Sequence, residues 1–265
     1  MLIDTHCHIF FPEYDADRAD VIARALSAGV EKMIVVGTDI PSSEKAVTLA
    51  EQYPFIFATV GLHPHEAKTM DDALLRELER LSAHPKVVAI GETGLDFFYN
   101  RSEVEVQCRA FSAQITLAKK RRLPLVIHIR DAWDTAFDIL EKDVTMSAED
   151  KDYFKEVGSI FHCFTGNKEI AARATAMGIY ISFSGIVTFP TKTDALKEAA
   201  ASVDSHFLLI ETDCPFLSPQ GFRGKRNEPA YISATAREVA TLRNISIENL
   251  AEITTANAER VFRLP

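Results

Sequence analysis

The chain has 265 residues, of which 47% are hydrophobic and 25% are charged, the balance of an ordinary globular protein. Its 29 lysines and arginines against 38 aspartates and glutamates give a net charge of -9, which excludes a broad, sequence-independent grip on a polyanion. No segment approaches the roughly 18 consecutive apolar residues that a membrane helix needs. We therefore expect one cytoplasmic domain over residues 1–265, with no membrane association and no obligate protein partner.

Eight short runs rich in valine, isoleucine and phenylalanine are predicted to be β-strands. They span residues 1–8, 32–38, 55–63, 86–96, 124–130, 159–166, 179–185 and 206–215. Between them, apolar residues recur at helical spacing, for example over residues 17–29, after a serine N-cap at the start of 42–54, and over 70–85. Strands that alternate with helices require a parallel sheet, and eight such units close most naturally into a (β/α)8 TIM barrel. The polar stretch near residues 145–157 is predicted to be a surface insertion or an extended helix end.

Chemically active side chains recur at the carboxyl ends of the predicted strands, where barrels of this class place their active sites. Six of the eight histidines lie at such an end or one step from it. His6 and His8 are separated by one residue, so they project from the same face of a strand. Taken alone, such a pair is also typical of a polar strand end. The residues at the strand ends are His6, His8, His63, Glu92, His128, His162 and Asp213.

Imidazoles and carboxylates that converge at one barrel mouth predict a metal centre, because these groups bind divalent ions and are otherwise costly to bury. Six ligands exceed the needs of one tetrahedral ion and favour two ions, roughly 3.5–4 Å apart, that share a bridging group. Glu92 is the natural bridge, since each carboxylate oxygen can bind one ion. We expect Mg, Zn or Mn. The six predicted ligands are His6, His8, Glu92, His128, His162 and Asp213.

Further polar residues are predicted around this centre from strand alternation. Asp4 and Glu211 lie two residues before His6 and Asp213, where they could accept hydrogen bonds from metal-binding histidines. Alternatively, each is a buried carboxylate held by backbone groups. Arg130 lies nearer the barrel mouth, where a guanidinium could bind a phosphate or another anion; a salt bridge with a nearby aspartate explains it equally well.

Several blocks of sequence run in a fixed order along the chain: DTHCH, VGLHPH, AIGETGLDFF, VIHIRDA, HCFTG, ETDCPFL, RGKRNEPAYI and TTANAERVF. In these blocks the chain resembles the TatD-like metal-dependent deoxyribonucleases, within the wider amidohydrolase-type barrels. The resemblance implies hydrolysis of DNA phosphodiesters, with weak binding of single strands or 3′ ends and a 3′–5′ exonuclease mode. The chain departs from the family pattern at DFFYN after the fourth strand and at the insertion near residues 145–157.

The resemblance also implies roles for individual residues. His6, His8 and Asp213 would bind one ion, and His128 with His162 the other, with Glu92 between them. His63 would meet the scissile phosphate. Lys225 or Arg226 would touch the nucleic-acid backbone, although a charged surface loop explains both equally well. In this mechanism two cations lower the pKa of a shared water, Asp213 takes its proton, and His63 and Arg130 stabilise the phosphate oxygens.

Two other interpretations remain open at the level of sequence. A small-molecule enzyme of the amidohydrolase type, cleaving a lactone, amide or phosphotriester, would use the same fold. Many such enzymes bridge their metals with a carboxylated lysine from the fourth strand, whereas this strand offers Glu92 and no lysine after Lys86. A structural metal site in a scaffold protein would normally be closed by four ligands rather than six.

Overall fold

Eight strands form one parallel sheet in the computed structural model, which describes residues 1–145 and 152–265. Their order in the sheet is their order in the chain, as the alternation of strands and helices predicts. The strands are β1 Leu2–Cys7, β2 Val30–Val36, β3 Ile56–Val60, β4 Val87–Asp96, β5 Leu125–Arg130, β6 Ser159–Phe161, β7 Ile179–Phe183 and β8 Leu208–Ile210.

The sheet closes on itself between its first and last strands. Cys7 pairs in parallel with Cys214, just beyond β8. The amide of His8 donates to the carbonyl of Cys214 at 2.8 Å, and the amide of Asp213 donates to the carbonyl of His6 at 2.9 Å. The predicted (β/α)8 TIM barrel is confirmed, and its closure holds the segment after β8 against the end of β1.

Helices connect the strands and pack around the barrel, and no described helix is both long and apolar enough to cross a bilayer. The predicted insertion at residues 145–157 lies partly outside the described residues, and its last five residues form α6. The helices are α1 Arg18–Ser27, α2 Ile40–Gln52, α3 Asp72–Leu81, α4 Val104–Arg121, α5 Trp133–Thr145, α6 Tyr153–Val157, α7 Lys168–Ala176, α8 Asp194–Ser202, α9 Ile232–Arg243 and α10 Ile247–Phe262.

The start of α2 lies earlier than the sequence pattern predicts. The carboxylate of Asp39 accepts from the amide of Ser42 at 2.8 Å, and the hydroxyl of Ser42 accepts from the amide of Asp39 at 2.9 Å. This reciprocal pair is a capping box, so Asp39 is the N-cap and Ser42 is the third helical residue. The predicted serine N-cap is therefore wrong, because Pro41 is well tolerated in the first turn of a helix.

Buried side chains form an outer layer between the sheet and the helices and an inner layer within the barrel. The inner cluster takes at least one residue from every strand, and it is joined by three residues of α10. It fills the barrel beneath the polar residues at the carboxyl ends of the strands. Its members are Ile3, Ile34, Val36, Phe57, Val88, Ala89, Val126, Ile160, Tyr180, Leu209, Ala258, Val261 and Phe262.

Candidate metal centre and active site

The six side chains predicted to bind metal meet at the carboxyl-terminal mouth of the barrel. They come from elements far apart in sequence: the end of β1, the middle of β4, β5, and the residues that follow β6 and β8. His128 and Asp213 are partly exposed, and the other four are buried. The structure therefore brings the whole predicted set together.

Glu92 lies at the centre of this group. Its Oε1 lies 2.9 Å from Nε2 of His162 and 3.2 Å from Nδ1 of His128. Its Oε2 lies 3.5 Å from Nε2 of His6 and 3.7 Å from Nε2 of His8. Burial alone would raise the pKa of Glu92, but the surrounding histidines, His162 foremost, outweigh it and hold the pKa well below its usual value. Glu92 is thus a charged carboxylate whose two oxygens face two different pairs of imidazoles.

Asp213 completes the side of the cluster formed by β1. Its Oδ1 lies 3.5 Å from Nε2 of His8 and 3.7 Å from Nε2 of His6. Burial alone would raise the pKa of Asp213, but hydrogen bonding to His8 and the nearby His6 lower it below its usual value. The backbone of Asp213 has φ of 56°, a left-handed conformation that aspartate tolerates better than most residues. This turn directs the charged carboxylate into the site.

The hydrogen bond of His8 determines its tautomer. Nδ1 of His8 lies 2.8 Å from the carbonyl oxygen of Val36, which can only accept, so the proton is on Nδ1. In the neutral form this ring directs the bare Nε2 lone pair into the cluster, as a metal ligand must. Both ring nitrogens of His162 face carboxylates, Nδ1 at 3.3 Å from Glu211 and Nε2 at 2.9 Å from Glu92, so Glu211 can accept the Nδ1 proton if Nε2 binds a cation.

The donor atoms fit a metal group because several ring nitrogens and carboxylate oxygens converge on one point. Nε2 of His6 and Nε2 of His8 are 3.1 Å apart, and Nδ1 of His128 lies 3.3 Å from Nε2 of His162. Nδ1 of His6 is buried and has no hydrogen-bond partner within the described residues. Ring nitrogens this close together need a proton or a metal cation between them, and imidazole with carboxylate is a donor set for divalent ions. The compact group His6–His8–Glu92 lies wholly within the predicted ligand set, and Glu92 with His128 forms a second compact group that also includes His63.

His63 differs from the predicted ligands in the direction of its proton. Its Nδ1 accepts from the backbone amide of His65 at 3.1 Å, which leaves the proton on Nε2. That Nε2 lies 3.3 Å from Oε1 of Glu92. Burial lowers the pKa of His63 to about 4, so the ring is neutral near pH 7. A neutral imidazole that points an N–H into the site is suited to donate a hydrogen bond there.

Asp96 and His65 extend the site and were not among the predicted residues. Oδ2 of Asp96 lies 2.9 Å from Nε2 of His65 and 3.3 Å from Nε2 of His128. If Nδ1 of His128 binds a cation, the proton is on Nε2 and Asp96 accepts it. Both missed residues had a sequence signal. Asp96 ends the predicted fourth strand, and His65 repeats the one-residue spacing already noted at His6 and His8.

A family model described as TatD related DNase matches residues 3–263. The chain belongs to this family. It is 45% identical over 264 residues, covering 100% of both chains, to the uncharacterized metal-dependent hydrolase YabD of Bacillus subtilis. It is 35% identical, covering 98% of both chains, to the 3′-5′ ssDNA/RNA exonuclease TatD of Escherichia fergusonii. The crystal structure of YjjV, a TatD homolog from Escherichia coli, superposes with a TM-score of 0.90 at 30% identity, covering 100% of this chain and 98% of that one. This TatD-family protein is accordingly a metal-dependent hydrolase that acts on ester bonds.

The position of Asp4 differs from the one predicted by strand alternation. Its carboxylate accepts from the amide and hydroxyl of Thr212, at 2.9 and 2.6 Å, and from the backbone amide of His6 at 3.3 Å, but the structure records no bond to the His6 ring. The pairing of β1 with β2 is irregular between Asp4 and Cys7, which breaks the two-residue alternation. Thr5 consequently bonds across the barrel to Ser182 of β7. Asp4 thus anchors the segment after β8 rather than orienting the imidazole.

Glu211 lies where the sequence predicts it, directly behind His162. Its Oε1 accepts from the amide of Cys163 at 2.7 Å and faces Nδ1 of His162 at 3.3 Å. Its Oε2 is buried and has no hydrogen-bond partner among the described residues. Glu211 therefore makes both contacts that were considered from the sequence: one with a backbone amide and one with a histidine ring.

Arg130 lies over two aromatic rings at the edge of the site. Its guanidinium carbon is 4.0 Å from the ring centre of Phe98 and 4.7 Å from that of Tyr99. Within the described ranges no ion pair joins Arg130 to Asp131 or Asp134, the salt-bridge alternative considered from sequence. The guanidinium is therefore held by aromatic faces, which leave its in-plane N–H groups available to an anion.

The two basic residues of the loop after β8 have different surroundings. The guanidinium of Arg226 donates to both carboxylate oxygens of Asp17, at 2.9 and 2.7 Å, and lies 4.3 Å from the ring centre of Tyr14. Lys225 is exposed. For Arg226 the structure thus agrees with the alternative of a charged loop held by a salt bridge, and Lys225 is the remaining candidate for a backbone contact.

Proposed function

We propose that this TatD-family hydrolase cleaves phosphodiester bonds of single-stranded DNA from the 3′ end. The observation that carries the proposal is the position of Glu92, whose two oxygens face two separate imidazole pairs, as a carboxylate that bridges two ions must. The 35% identity to a protein named as a 3′-5′ ssDNA/RNA exonuclease supports the choice of substrate.

The chain's own residues have distinct parts in the proposed reaction. When bound, two divalent ions supply an acidified water and offset negative charge on the phosphate. His6, His8 and Asp213 would bind one ion, and His128 and His162 the other. Asp213 is charged and partly exposed, so its carboxylate can take the proton of the attacking water.

His63 and Arg130 are placed to stabilise the phosphate. The Nε2–H of His63 is aimed at the cluster and donates to a non-bridging oxygen once a diester replaces the contact with Glu92. Arg130 lies further out, on the rim, where it can bind a neighbouring phosphate. Two cations within a protein of net charge -9 concentrate positive charge at one point, so few phosphate contacts form and binding is weak.

The test is hydrolysis of end-labelled single-stranded DNA and RNA by protein loaded separately with Mg, Mn or Zn. The Glu92→Ala substitution is expected to abolish cleavage, because no other carboxylate in the described part of the chain lies between both imidazole pairs. Glu31→Ala is the matched control, since Glu31 is exposed at the start of β2, at the opposite end of the barrel. Unchanged cleavage by Glu92→Ala would show that the activity does not arise at this site. Faster turnover of a lactone, amide or phosphotriester than of DNA would select the small-molecule hydrolase instead.

A further inference from the structure

Exposed aromatic side chains are concentrated around the mouth of the barrel. Five large hydrophobic side chains in the described part of the chain are exposed, and three of them are aromatic: Phe98 at 57%, Tyr99 at 51% and Phe216 at 50%. Phe98 and Tyr99 follow β4, and Phe216 follows β8, on the side where the candidate metal centre lies. The other two, Met1 and Leu26, lie next to the starts of β1 and β2, at the opposite end.

One group of aromatic rings begins directly at the candidate metal ligand His8. The ring of Phe11 stacks on His8, with centroids 5.1 Å apart and planes 20° from parallel. Phe216 lies edge-on to both, with its centroid 5.9 Å from Phe11 and 6.3 Å from His8. An aromatic surface therefore extends outward from the side of the site that contains Asp213.

A second group lies on the side of β4 and β5. The ring of Tyr99 packs against His65 at a centroid distance of 5.6 Å. Arg130 lies over Phe98 and Tyr99, and the guanidinium of Arg101 lies 5.6 Å from the ring centre of Tyr99. This side combines aromatic faces with two cations.

The closed strand order places these two groups across the mouth from each other. β8 and β1 are neighbours at the closure, whereas β4 and β5 lie halfway around the barrel. The predicted metal ligands lie between the two groups. A ligand centred on the cluster would thus meet an aromatic surface on each side.

We propose that these surfaces are two base-stacking subsites, Phe11 with Phe216 on one side and Phe98 with Tyr99 on the other, for the nucleobases that flank the scissile phosphate. The inference rests on the proposed function and deepens it. A single strand carries flat nucleobases joined by anionic phosphodiesters. The bases suit the two separate aromatic surfaces, and the phosphates suit the arginines beside Phe98 and Tyr99. Stacking is tolerant of base identity, because every base has a π-face. It also requires bases that are not paired, which favours single strands.

The test compares a single-stranded DNA oligomer with the same oligomer carrying abasic residues on both sides of the cleaved bond. For the wild type, we expect kcat/KM to fall about tenfold or more on the abasic strand. Phe216→Ala and Tyr99→Ala should lose about tenfold on the normal strand and less than about twofold on the abasic one. Phe216→Trp and Tyr99→Phe should restore the rate, and the control Leu26→Ala should match the wild type on both strands.

Equal losses by Phe216→Ala on the two strands, or a wild type indifferent to abasic residues, would overturn the subsites while leaving the nuclease proposal intact. A wild type that cleaves neither strand would refute the nuclease proposal itself. In that case binding decides the inference: a 2-aminopurine oligonucleotide should be quenched by the wild type and at least about fivefold more weakly bound by Phe216→Ala. Equal binding of this probe by the wild type and by Phe216→Ala would refute the stacking subsites.

Discussion

Replacement of Asp96 is expected to weaken both folding stability and metal binding. The carboxylate is only 1% exposed and accepts four hydrogen bonds. Oδ1 accepts from the amides of Phe98 and Tyr99 at 3.1 and 2.8 Å, and Oδ2 faces Nε2 of His65 at 2.9 Å and Nε2 of His128 at 3.3 Å. Burial alone would raise the pKa of Asp96, but these bonds, led by the one from His128, keep it well below its usual value. A charged acceptor therefore connects the rim to a predicted ligand.

The size of the effect follows from the bonds that are lost. Hydrogen bonds to a charged group contribute about 1.5–3 kcal/mol each, and removal of one partner from a buried pair costs about 3–5 kcal/mol in total. For Asp96→Ala we expect a loss near the middle of that range. At about 2–4 °C per kcal/mol for a protein of this size, the melting temperature should fall by about 8–16 °C.

Asparagine at this position separates the two effects. Asp96→Asn keeps an oxygen for the two backbone amides but directs an NH2 donor at His128, which favours the tautomer with the proton on Nδ1. A protonated Nδ1 cannot bind metal, so affinity should fall about 10–100-fold while most of the stability remains. Calorimetric titration with Zn or Mn, beside thermal unfolding, measures both quantities, with Asp20→Asn on the exposed face of α1 as control. Wild-type metal affinity in Asp96→Asn would refute the tautomer argument.

Three further predictions concern the barrel, the metal and the loop after β8. In Gly94→Ala the new Cβ would lie 2.0 Å from the carbonyl oxygen of His128, so the free energy of unfolding measured in urea should fall by about 3 kcal/mol. A free energy of unfolding within about 0.5 kcal/mol of the wild type would contradict the close approach. Removal of bound metal with a chelator should lower the free energy of unfolding by about 2.7 kcal/mol, compared with protein in metal at about 100 times its Kd. A melting temperature that chelation does not change would argue against bound ions. Lys225→Ala should lower the slope of log Kd for DNA against log salt concentration by about 0.7. Arg226→Met should leave that slope unchanged and lower the melting temperature, because the guanidinium of Arg226 is paired with Asp17. The reverse pattern would show that Arg226 is the residue that contacts the nucleic acid.

Much of the fold and the cluster could be predicted because local patterns encode them. Eight apolar runs separated by helical segments are enough for a parallel barrel, and active sites of such barrels lie at the carboxyl ends of strands. The convergence of His6, His8, Glu92, His128, His162 and Asp213 follows from those two rules. The same rules reach Asp96, which closes the fourth predicted strand, although it was not among the predicted residues.

Other features could not be predicted because they depend on exact register or on distant partners. Strand alternation placed Asp4 behind the His6 ring, but an irregularity in the pairing of β1 with β2 turned its carboxylate to Thr212. The partner of Arg226 lies 209 residues away in the chain. Neither position can be inferred from residue types and spacing alone.

Periodicity and residue type are properties of local segments, so they were enough to predict the type of fold, the family and the residues able to bind metal. Which atom of each side chain faces the centre became clear only from the folded barrel. The tautomer of His63, the contacts of the two Glu92 oxygens with different imidazole pairs, and the aromatic surfaces across the mouth all depend on hydrogen-bond partners and packing. Barrel closure brings these together from separate strands. Orientation is a property of long-range contacts, and these form only when the chain is folded.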